Sequence, residues 1–316
     1  MTASPIPHEH LLQRHRALGH RVGQTPLMAF ASLTRDLGPH VQIHAKLEWR
    51  QIGGSVKARA AHAILGDALV HPEVQGKRLL DASSGNTGIA YGALCAALDV
   101  PLTLCLPANA SPERKAILRA YGVDIIETSP FEGTDGAQER CRELLAEFPG
   151  RYHYLDQYAN PANREAHRRG TAEEIWTQTQ GAVTHFVAGL GTTGTFNGTT
   201  SRLKELNPDI QCTAFQPDSA LHGLEGWKHM DTARVPDIHD PAIADAHAVV
   251  STESAYAMVQ RIAVEEGMLI SPSAGANLQA ALQVAQSLQS GTVVTVLADH
   301  ASKYGDVMAH LFSPTA

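Results

Sequence analysis

The stretch Ala82-Ser83-Ser84-Gly85-Asn86-Thr87-Gly88 lies between the short run Lys77-Arg78-Leu79-Leu80-Asp81-Ala82 and an Ala-rich segment at 87–98. This order predicts a strand, a tight turn and a helix. Glycine lets the backbone approach a ligand closely, and a helix N-terminus presents free N–H groups with partial positive charge. The turn is therefore a candidate anion site, although every α/β fold needs tight turns of this kind for structural reasons alone.

Two later turns share this design, Gly189-Leu190-Gly191-Thr192-Thr193-Gly194-Thr195 and Ser271-Pro272-Ser273-Ala274-Gly275-Ala276. One such turn would be weak evidence for a ligand. Three in one chain, two of them with hydroxyl groups suited to phosphate or carboxylate, favour a cofactor that carries a phosphate.

Short β-branched runs alternate with segments of helical period along the chain, which is typical of an α/β fold with a largely parallel sheet. We predict two three-layer α/β lobes with mostly parallel sheets. The predicted small, mobile lobe covers residues 48–149. The predicted large lobe is discontinuous and covers residues 1–47 and 150–316.

Composition excludes several classes of protein. The 316 residues are 43% hydrophobic and carry a formal net charge of −7, without the dense Lys/Arg block of a nucleic-acid-binding surface. No apolar stretch is long enough to span a membrane, and the polar, His-rich start lacks the apolar run of a secretory signal. The histidines and the four cysteines show no metal-ligand spacing. We expect a cytoplasmic protein with no metal, nucleic-acid or membrane partner.

A lysine stands out in Gly53-Gly54-Ser55-Val56-Lys57-Ala58-Arg59. A lysine in the first turn of a helix is commonly a solvated surface residue. Here it follows two glycines and a predicted strand and precedes small apolar residues. This setting favours a desolvated amine, which Schiff-base chemistry requires.

These segments together resemble the β-family of pyridoxal-phosphate enzymes (fold type II, similar to the β-subunit of tryptophan synthase). Within it they resemble the cysteine synthases, or O-acetylserine sulfhydrylases, especially the B-type, and the cystathionine β-synthases. The matching motifs are Val22-Gly23-Gln24-Thr25-Pro26-Leu27, Gly54-Ser55-Val56-Lys57, Ser84-Gly85-Asn86-Thr87-Gly88, the segment 156–163 with Gln157-Tyr158-Ala159-Asn160-Pro161, the segment 184–195, and Ser273-Ala274-Gly275.

The resemblance implies a role for each matching residue. Lys57 would be the catalytic residue, which binds pyridoxal 5'-phosphate covalently and moves the α-proton. Ser273 would face the ring nitrogen, and because it is a neutral hydroxyl it would leave that nitrogen largely unprotonated. The other cofactor-binding residues would be Asn86 at the ring hydroxyl and Gly191, Thr192, Thr193, Gly194 and Thr195 around the phosphate. The substrate-binding residues would be Ser83, Ser84, Gly85, Asn86, Thr87 and Gln157, with Lys228 at the mouth of the site.

The implied reaction replaces the β-substituent of O-acetylserine or O-phosphoserine by a sulfur nucleophile to give L-cysteine, through an aminoacrylate intermediate. Its partners would be the amino-acid substrate, a sulfur or amine nucleophile and a second copy of the chain in a homodimer. The alternatives are an O-phosphoserine-using synthase of a specialised amino acid such as 2,3-diaminopropionate, and a cystathionine β-synthase. A different class would be a non-catalytic scaffold descended from the family.

Some positions depart from the family pattern. Gln51-Ile52 stands where the family has Asn-Pro, and Ala58 stands where it has Asp. In the loop at residues 221–229, Lys228 and His229 could contact a phosphate leaving group, but Lys228 could equally be solvated and Glu225 opposes its charge.

Overall fold

The computed structural model describes residues 8–313, which divide into two compact units. Unit 1 comprises the segment up to Gly23, Gln51–Gly53 and Lys57–Asn163. Unit 2 comprises Gln24–Arg50, Gly54–Val56 and the chain from Arg164 onward.

The strands, in chain order, are β1 (Leu27–Ala29), β2 (His40–Leu47), β3 (Arg78–Ala82), β4 (Leu102–Pro107), β5 (Asp124–Thr128), β6 (Tyr152–Tyr154), β7 (His185–Gly189), β8 (Gln211–Pro217), β9 (Ala246–Val250) and β10 (Ser290–Leu297). The α-helices are α1 (His8–Leu18), α2 (Ala31–Thr34), α3 (Lys57–Leu69), α4 (Asn86–Leu98), α5 (Pro112–Ala120), α6 (Gly133–Glu147), α7 (Ala162–Ala166), α8 (Ala172–Gln178), α9 (Gly194–Leu206), α10 (Thr252–Glu265), α11 (Pro272–Gln286) and α12 (Gly305–Phe312). A short π-helix, His167–Thr171, joins α7 to α8.

Unit 1 contains a four-stranded sheet in the order β5-β4-β3-β6, with every pairing parallel. Strand β4 is buried along its whole length, as expected for a central strand of a parallel sheet that is covered on both faces. One core contains apolar residues of α3 and α4, and a second contains residues of α6. Strands β3 and β4 each end in a turn, and the turn after β3 begins at Ser83.

Unit 2 contains a six-stranded sheet in the order β1-β2-β10-β7-β8-β9. Strand β1 is antiparallel to β2, and the remaining pairings are parallel. Strand β10 pairs with β2 from Ser290↔His40 to Leu297↔Leu47. Helix α11 buries most of its Ala-rich surface in the core of this unit.

The predicted fold class, α/β with mostly parallel sheets, is confirmed. The units differ from the predicted lobes, because residues 150–163 and the N-terminal segment lie in unit 1. Strand β6 pairs with β3 and joins the first of these segments to the small sheet. Helix α1 packs on α3, where its buried His15 stacks on His62 with the ring centroids 4.0 Å apart.

Three observations concern membrane-spanning helices, metal sites and the cysteines. Between residues 8 and 313, no helix has the length and hydropathy needed to cross a bilayer. The same residues form no cluster of His, Cys, Asp or Glu suited to a metal ion. The four cysteines are buried thiols.

Candidate functional site

Lys57 is the first residue of α3 and is half-buried. The glycines before it adopt left-handed conformations, with φ of 72° at Gly53 and 64° at Gly54. A Cβ atom on Gly53 would lie 3.0 Å from the Cα atom of Ala90. Glycine is therefore required at Gly53 both by the backbone conformation and by the close approach of α4, and this geometry fixes where α3 begins.

The side chain of Ser83 stabilises the turn that follows β3. The Ser83 Oγ atom accepts hydrogen bonds from the backbone N–H groups of Gly88, at 2.9 Å, and Gly85, at 3.4 Å. A Cβ atom on Gly88 would lie 2.9 Å from Leu104 Cδ1 and 3.0 Å from the backbone oxygen of Ser83. Ser84, Gly85 and Asn86 stay half-buried at the N-terminus of α4, where an anion is favoured.

Gln157 lies beside this turn. Its Nε2 atom donates to the backbone oxygen of Ala82 at 2.9 Å, and Asn163 Nδ2 donates to the Gln157 backbone oxygen at 2.8 Å. The structure thus brings together the unit 1 residues predicted to bind the substrate carboxylate: Ser83, Ser84, Gly85, Asn86, Thr87 and Gln157.

Asp81, a buried acid in β3 two residues before Ser83, was not among the residues predicted from the sequence. Its Oδ1 atom accepts from the Ala82 N–H at 2.7 Å, whereas its buried Oδ2 atom has no hydrogen-bond partner among the described residues. Burial raises the pKa of Asp81 to about 7 from its ordinary 3.8. A single acid inside the apolar run Leu79-Leu80-Asp81-Ala82 was the available signal.

The predicted phosphate loop, Gly191 to Thr195, joins β7 to α9. Thr193 caps α9 in a left-handed conformation, with φ of 69°. Its Oγ1 atom is buried and finds no hydrogen-bond partner within residues 8–313. A Cβ atom on Gly191 would lie 2.1 Å from the Gly226 backbone oxygen, so only glycine fits there.

These features fit the phosphate of pyridoxal phosphate. A buried hydroxyl without a partner has a free energy cost that a phosphate oxygen would remove. The N-terminus of the 13-residue helix α9 adds free N–H groups and a favourable dipole. Behind the loop, the Thr195 hydroxyl contacts Nε2 of the buried His167 at 3.2 Å.

Ser273 lies in the first turn of α11 and is buried. The buried Asn277, which connects Ser273 to the end of β7, was not among the residues predicted from the sequence. The Asn277 Nδ2 atom donates to the Ser273 backbone oxygen at 3.2 Å, and its Oδ1 atom accepts from the Gly189 N–H at 3.3 Å. Asn277 therefore links Ser273 to Gly189 at the end of β7, the strand that leads into the phosphate loop. The spacing of Asn277 from Ser273, one helical turn, was the available signal.

Lys228 belongs to a loop that packs on the end of β7. Its N–H donates to the Leu190 backbone oxygen at 2.8 Å, and its side chain is half-buried. The neighbouring Trp227 packs edge-on against Phe215, with ring centroids 5.5 Å apart. His229 is engaged within the loop, since its Nδ1 atom contacts the Thr232 hydroxyl at 3.0 Å.

Two departures from the family pattern have local explanations in unit 1. The Gln51 Oε1 atom accepts from the Gly23 N–H at 2.9 Å, which ties the opening motif to the lysine segment. Ala58 is completely buried in the core of the unit, where an unpaired carboxylate would be costly.

Comparison with known proteins agrees with this geometry. Residues 19–299 match the family described as pyridoxal-phosphate dependent enzyme. The chain is 46% identical to a cysteine synthase of Aquifex aeolicus, over 90% of this chain and 88% of the relative. It is 34% identical to the O-acetylserine dependent cystathionine β-synthase of Bacillus subtilis, over 90% of this chain and 94% of the relative. The crystal structure of a cysteine synthase from Entamoeba histolytica superposes with a TM-score of 0.84 at 27% identity, covering 95% and 96% of the two chains.

The family match spans most of the chain, the phosphate loop fits the cofactor, and the relatives match over nearly their full lengths. The chain therefore belongs to the family of pyridoxal-phosphate dependent enzymes.

Proposed function

We propose that this protein is a cysteine synthase, which replaces the β-substituent of an activated serine by a sulfur nucleophile. With O-acetylserine and sulfide, the Cβ–O bond breaks, a Cβ–S bond forms, and acetate leaves as L-cysteine is produced. The observation that carries the proposal is the 46% identity to a cysteine synthase over 90% of the chain.

Each group of residues has a separate task in this reaction. Bound pyridoxal phosphate supplies the electron sink that makes the α-proton of the substrate acidic. Gly191 to Thr195 would hold its phosphate, and Asn86 and Ser273 would orient its ring. Lys57 would bind the cofactor covalently, and its amine would later move a proton to and from the substrate Cα atom, for which the amine must be neutral when it takes the proton.

The turn before α4 would bind the substrate α-carboxylate. Ser84, Asn86 and Thr87 supply hydroxyl, amide and backbone N–H donors at a helix N-terminus, and Gln157 lies beside them. Ser83 has a different part in this arrangement. Its oxygen already accepts two backbone N–H groups, so it shapes the turn and has its own O–H left to donate.

The leaving group is selected, in this proposal, by the loop that carries Lys228. A phosphate leaving group brings more negative charge than an acetyl group, and a half-buried ammonium group would favour it. The backbone contact of Lys228 with Leu190 supports a place for this side chain near the phosphate loop.

A spectroscopic experiment tests the function. The purified holoenzyme is mixed with O-acetylserine or O-phosphoserine without a nucleophile, and its visible spectrum is recorded. We expect a lasting change with one donor, and cysteine after sulfide is added. Lys57→Ala should abolish both results, whereas Lys77→Ala, a lysine of the same unit outside the proposed site, should abolish neither. A holoenzyme whose spectrum responds to neither donor would refute the synthase proposal.

A second candidate is a cystathionine β-synthase, which the similarity to the Bacillus subtilis enzyme favours. Offering sulfide and homocysteine in competition to the donor-loaded enzyme, and quantifying cysteine and cystathionine, separates the two. A 2,3-diaminopropionate synthase would instead form its product from O-phosphoserine and an amine. A non-catalytic scaffold would give no product in any of these mixtures.

We also propose a homodimer in the cytoplasm. The family resemblance supports the dimer, and the four buried thiols suit a reducing compartment. Light scattering of the holoenzyme should give twice the chain mass of 33.8 kDa, and a monomer would contradict the proposal.

A further inference from the structure

Asp81 lies in β3, two residues before Ser83, and is completely buried. Its Oδ1 atom accepts a hydrogen bond from the Ala82 N–H at 2.7 Å. The Ala82 backbone oxygen accepts from Gln157 Nε2 at 2.9 Å. Asp81 and Gln157 therefore hold opposite sides of Ala82, which is the last residue of β3 and leads into the turn that is proposed to bind the substrate α-carboxylate.

The carboxyl group of Asp81 also faces Gln157 and Tyr91 directly. The Gln157 backbone N–H and the hydroxyl of the buried Tyr91 on α4 both lie near enough to favour the ionised form of Asp81. Within residues 8–313, the buried Oδ2 atom of Asp81 and the Tyr91 hydroxyl nevertheless have no hydrogen-bond partner of ordinary geometry. One carboxyl group thus meets both segments that are proposed to bind the substrate α-carboxylate.

The charge of Asp81 changes near neutral pH. Burial raises the pKa of Asp81 from 3.8 to about 7, although the hydrogen bond from the Ala82 N–H opposes this effect. The carboxylate of Asp156, which follows β6, raises the same pKa. The neutral and the ionised form of Asp81 are therefore both populated around pH 7.

Other titratable groups surround Asp81 in unit 1. Burial raises the pKa of three nearby tyrosines, so that they stay neutral around pH 7: Tyr91, Tyr154 and Tyr158. The thiol groups of Cys105 on β4 and Cys141 on α6 interact, which lowers the pKa of Cys105 and raises that of Cys141. Cys105 therefore needs its own control in an experiment on pH.

The substrate would bring a second negative charge to this part of the unit. Three residues of extended chain, from Asp81 to Ser84, span about 10 Å. Two negative charges at this separation repel each other measurably where water is partly excluded, whereas a neutral Asp81 has no such effect. Binding of the α-carboxylate thus favours the neutral form of Asp81, and by reciprocity the neutral form favours binding.

We propose that Asp81 is a positioning residue for the substrate α-carboxylate, which binds tightly while Asp81 is neutral and more weakly once Asp81 is ionised. This inference rests on the proposed place of the α-carboxylate at the turn before α4. Binding is accompanied by uptake of a proton at Asp81, and the affinity for the substrate falls as the pH rises through neutrality.

The experiment measures binding without reaction. L-Alanine has the α-amino and α-carboxylate groups of the substrate but no leaving group, and its binding to the holoenzyme is followed by visible absorbance between pH 5.5 and 8.5. Asp81→Asn has nearly the same shape and no charge to gain. The ratio of the dissociation constants, parent over Asp81→Asn, should rise roughly 5- to 10-fold across this range. Effects of pH on the amine of the ligand cancel in the ratio.

Three further variants separate this coupling from a general effect of mutation. Tyr91→Phe removes a hydroxyl that lowers the pKa of Asp81, so the fall in affinity should move to higher pH while Asp81 stays in place. Asp124→Asn removes an exposed carboxylate of the same unit that pairs with Arg78, and should keep the pH dependence of the parent. Cys105→Ala should also keep it.

A ratio that stays constant across the pH range overturns the inference, and so does a parent that does not bind L-alanine. An unmoved pH dependence in Tyr91→Phe, or a pH dependence that disappears in Cys105→Ala, also overturns it. Failure of the proposed function is a separate result, since it would appear as absent cysteine production while the binding of L-alanine follows the expected pattern.

Discussion

The buried hydroxyl of Thr193 has no hydrogen-bond partner within the described part of the chain, and Thr193→Val removes it at almost constant shape. Without cofactor, this buried hydroxyl has lost its hydrogen bonds to water and forms none with the described residues in their place. With cofactor, it would donate to a phosphate oxygen. The substitution should therefore act in opposite directions on the cofactor-free and cofactor-bound proteins.

The two effects have opposite signs and similar sizes. A buried polar group left without a partner costs about 1–3 kcal/mol, so the cofactor-free variant should gain up to that amount in its free energy of unfolding. A hydrogen bond to a charged group contributes about 1.5–3 kcal/mol, so the dissociation constant for pyridoxal phosphate should rise roughly 10- to 100-fold. Urea unfolding of the cofactor-free protein gives the first quantity, and titration of the visible absorbance gives the second.

Thr199→Val is the matched control. Thr199 lies on the same helix, α9, and its hydroxyl is likewise buried without a partner in residues 8–313, but it lies outside the phosphate loop. It should raise stability and leave the affinity for pyridoxal phosphate unchanged. Equal affinities in the two variants would refute the assignment of Thr193 to the phosphate.

Three further predictions concern other parts of the molecule. Burial raises the pKa of Asp81 from 3.8 to about 7, so folding stability should fall as pH rises between these values, by at most about 4 kcal/mol. Asp81→Asn should raise the melting temperature at pH 8 more than at pH 4, and equal increases would contradict this account. Burial lowers the pKa of His15 to about 4, so the parent should lose stability as pH falls from 6.5 to 4. His15→Leu should flatten that part of the pH profile, measured by urea unfolding, and an unchanged slope would exclude His15 as the cause. Gly191→Ala would place a Cβ atom 2.1 Å from the Gly226 oxygen, and should cost about 1–3 kcal/mol of stability and weaken cofactor binding. Gly305→Ala is its control, because its Cβ atom would meet no described atom within 4 Å; similar losses in both variants would argue against steric conflict.

The parts of the fold that the sequence predicted are those with strong local signals. The β3 strand, the Ser83 to Gly88 turn and the α4 helix follow from a change of hydrophobic period and from two glycines. The predicted phosphate loop has the same kind of signal, and the structure gives it a buried hydroxyl suited to an anion.

The parts that were missed depend on contacts between distant residues. Helix α1 is polar, and its buried side chain is a histidine stacked on a second histidine, which a search for apolar periodicity does not detect. Strand β6 has three residues and is recognisable only from its pairing with β3. Asp299 approaches Ser273 across 26 residues of sequence, because α11 and β10 bring the two together.

The order of strands in unit 2 has a consequence for synthesis on the ribosome. Strand β10 lies between β2 and β7 in the sheet, yet it is made after every other strand. At 5–20 residues per second, roughly 10–50 s separate the appearance of β2 from that of its neighbour β10. During this interval β2 and β7 each expose one unpaired backbone edge, a form open to aggregation. A nascent chain that stops before residue 290 would therefore hold its sheet as two separate parts, and this is the species that a chaperone would need to protect.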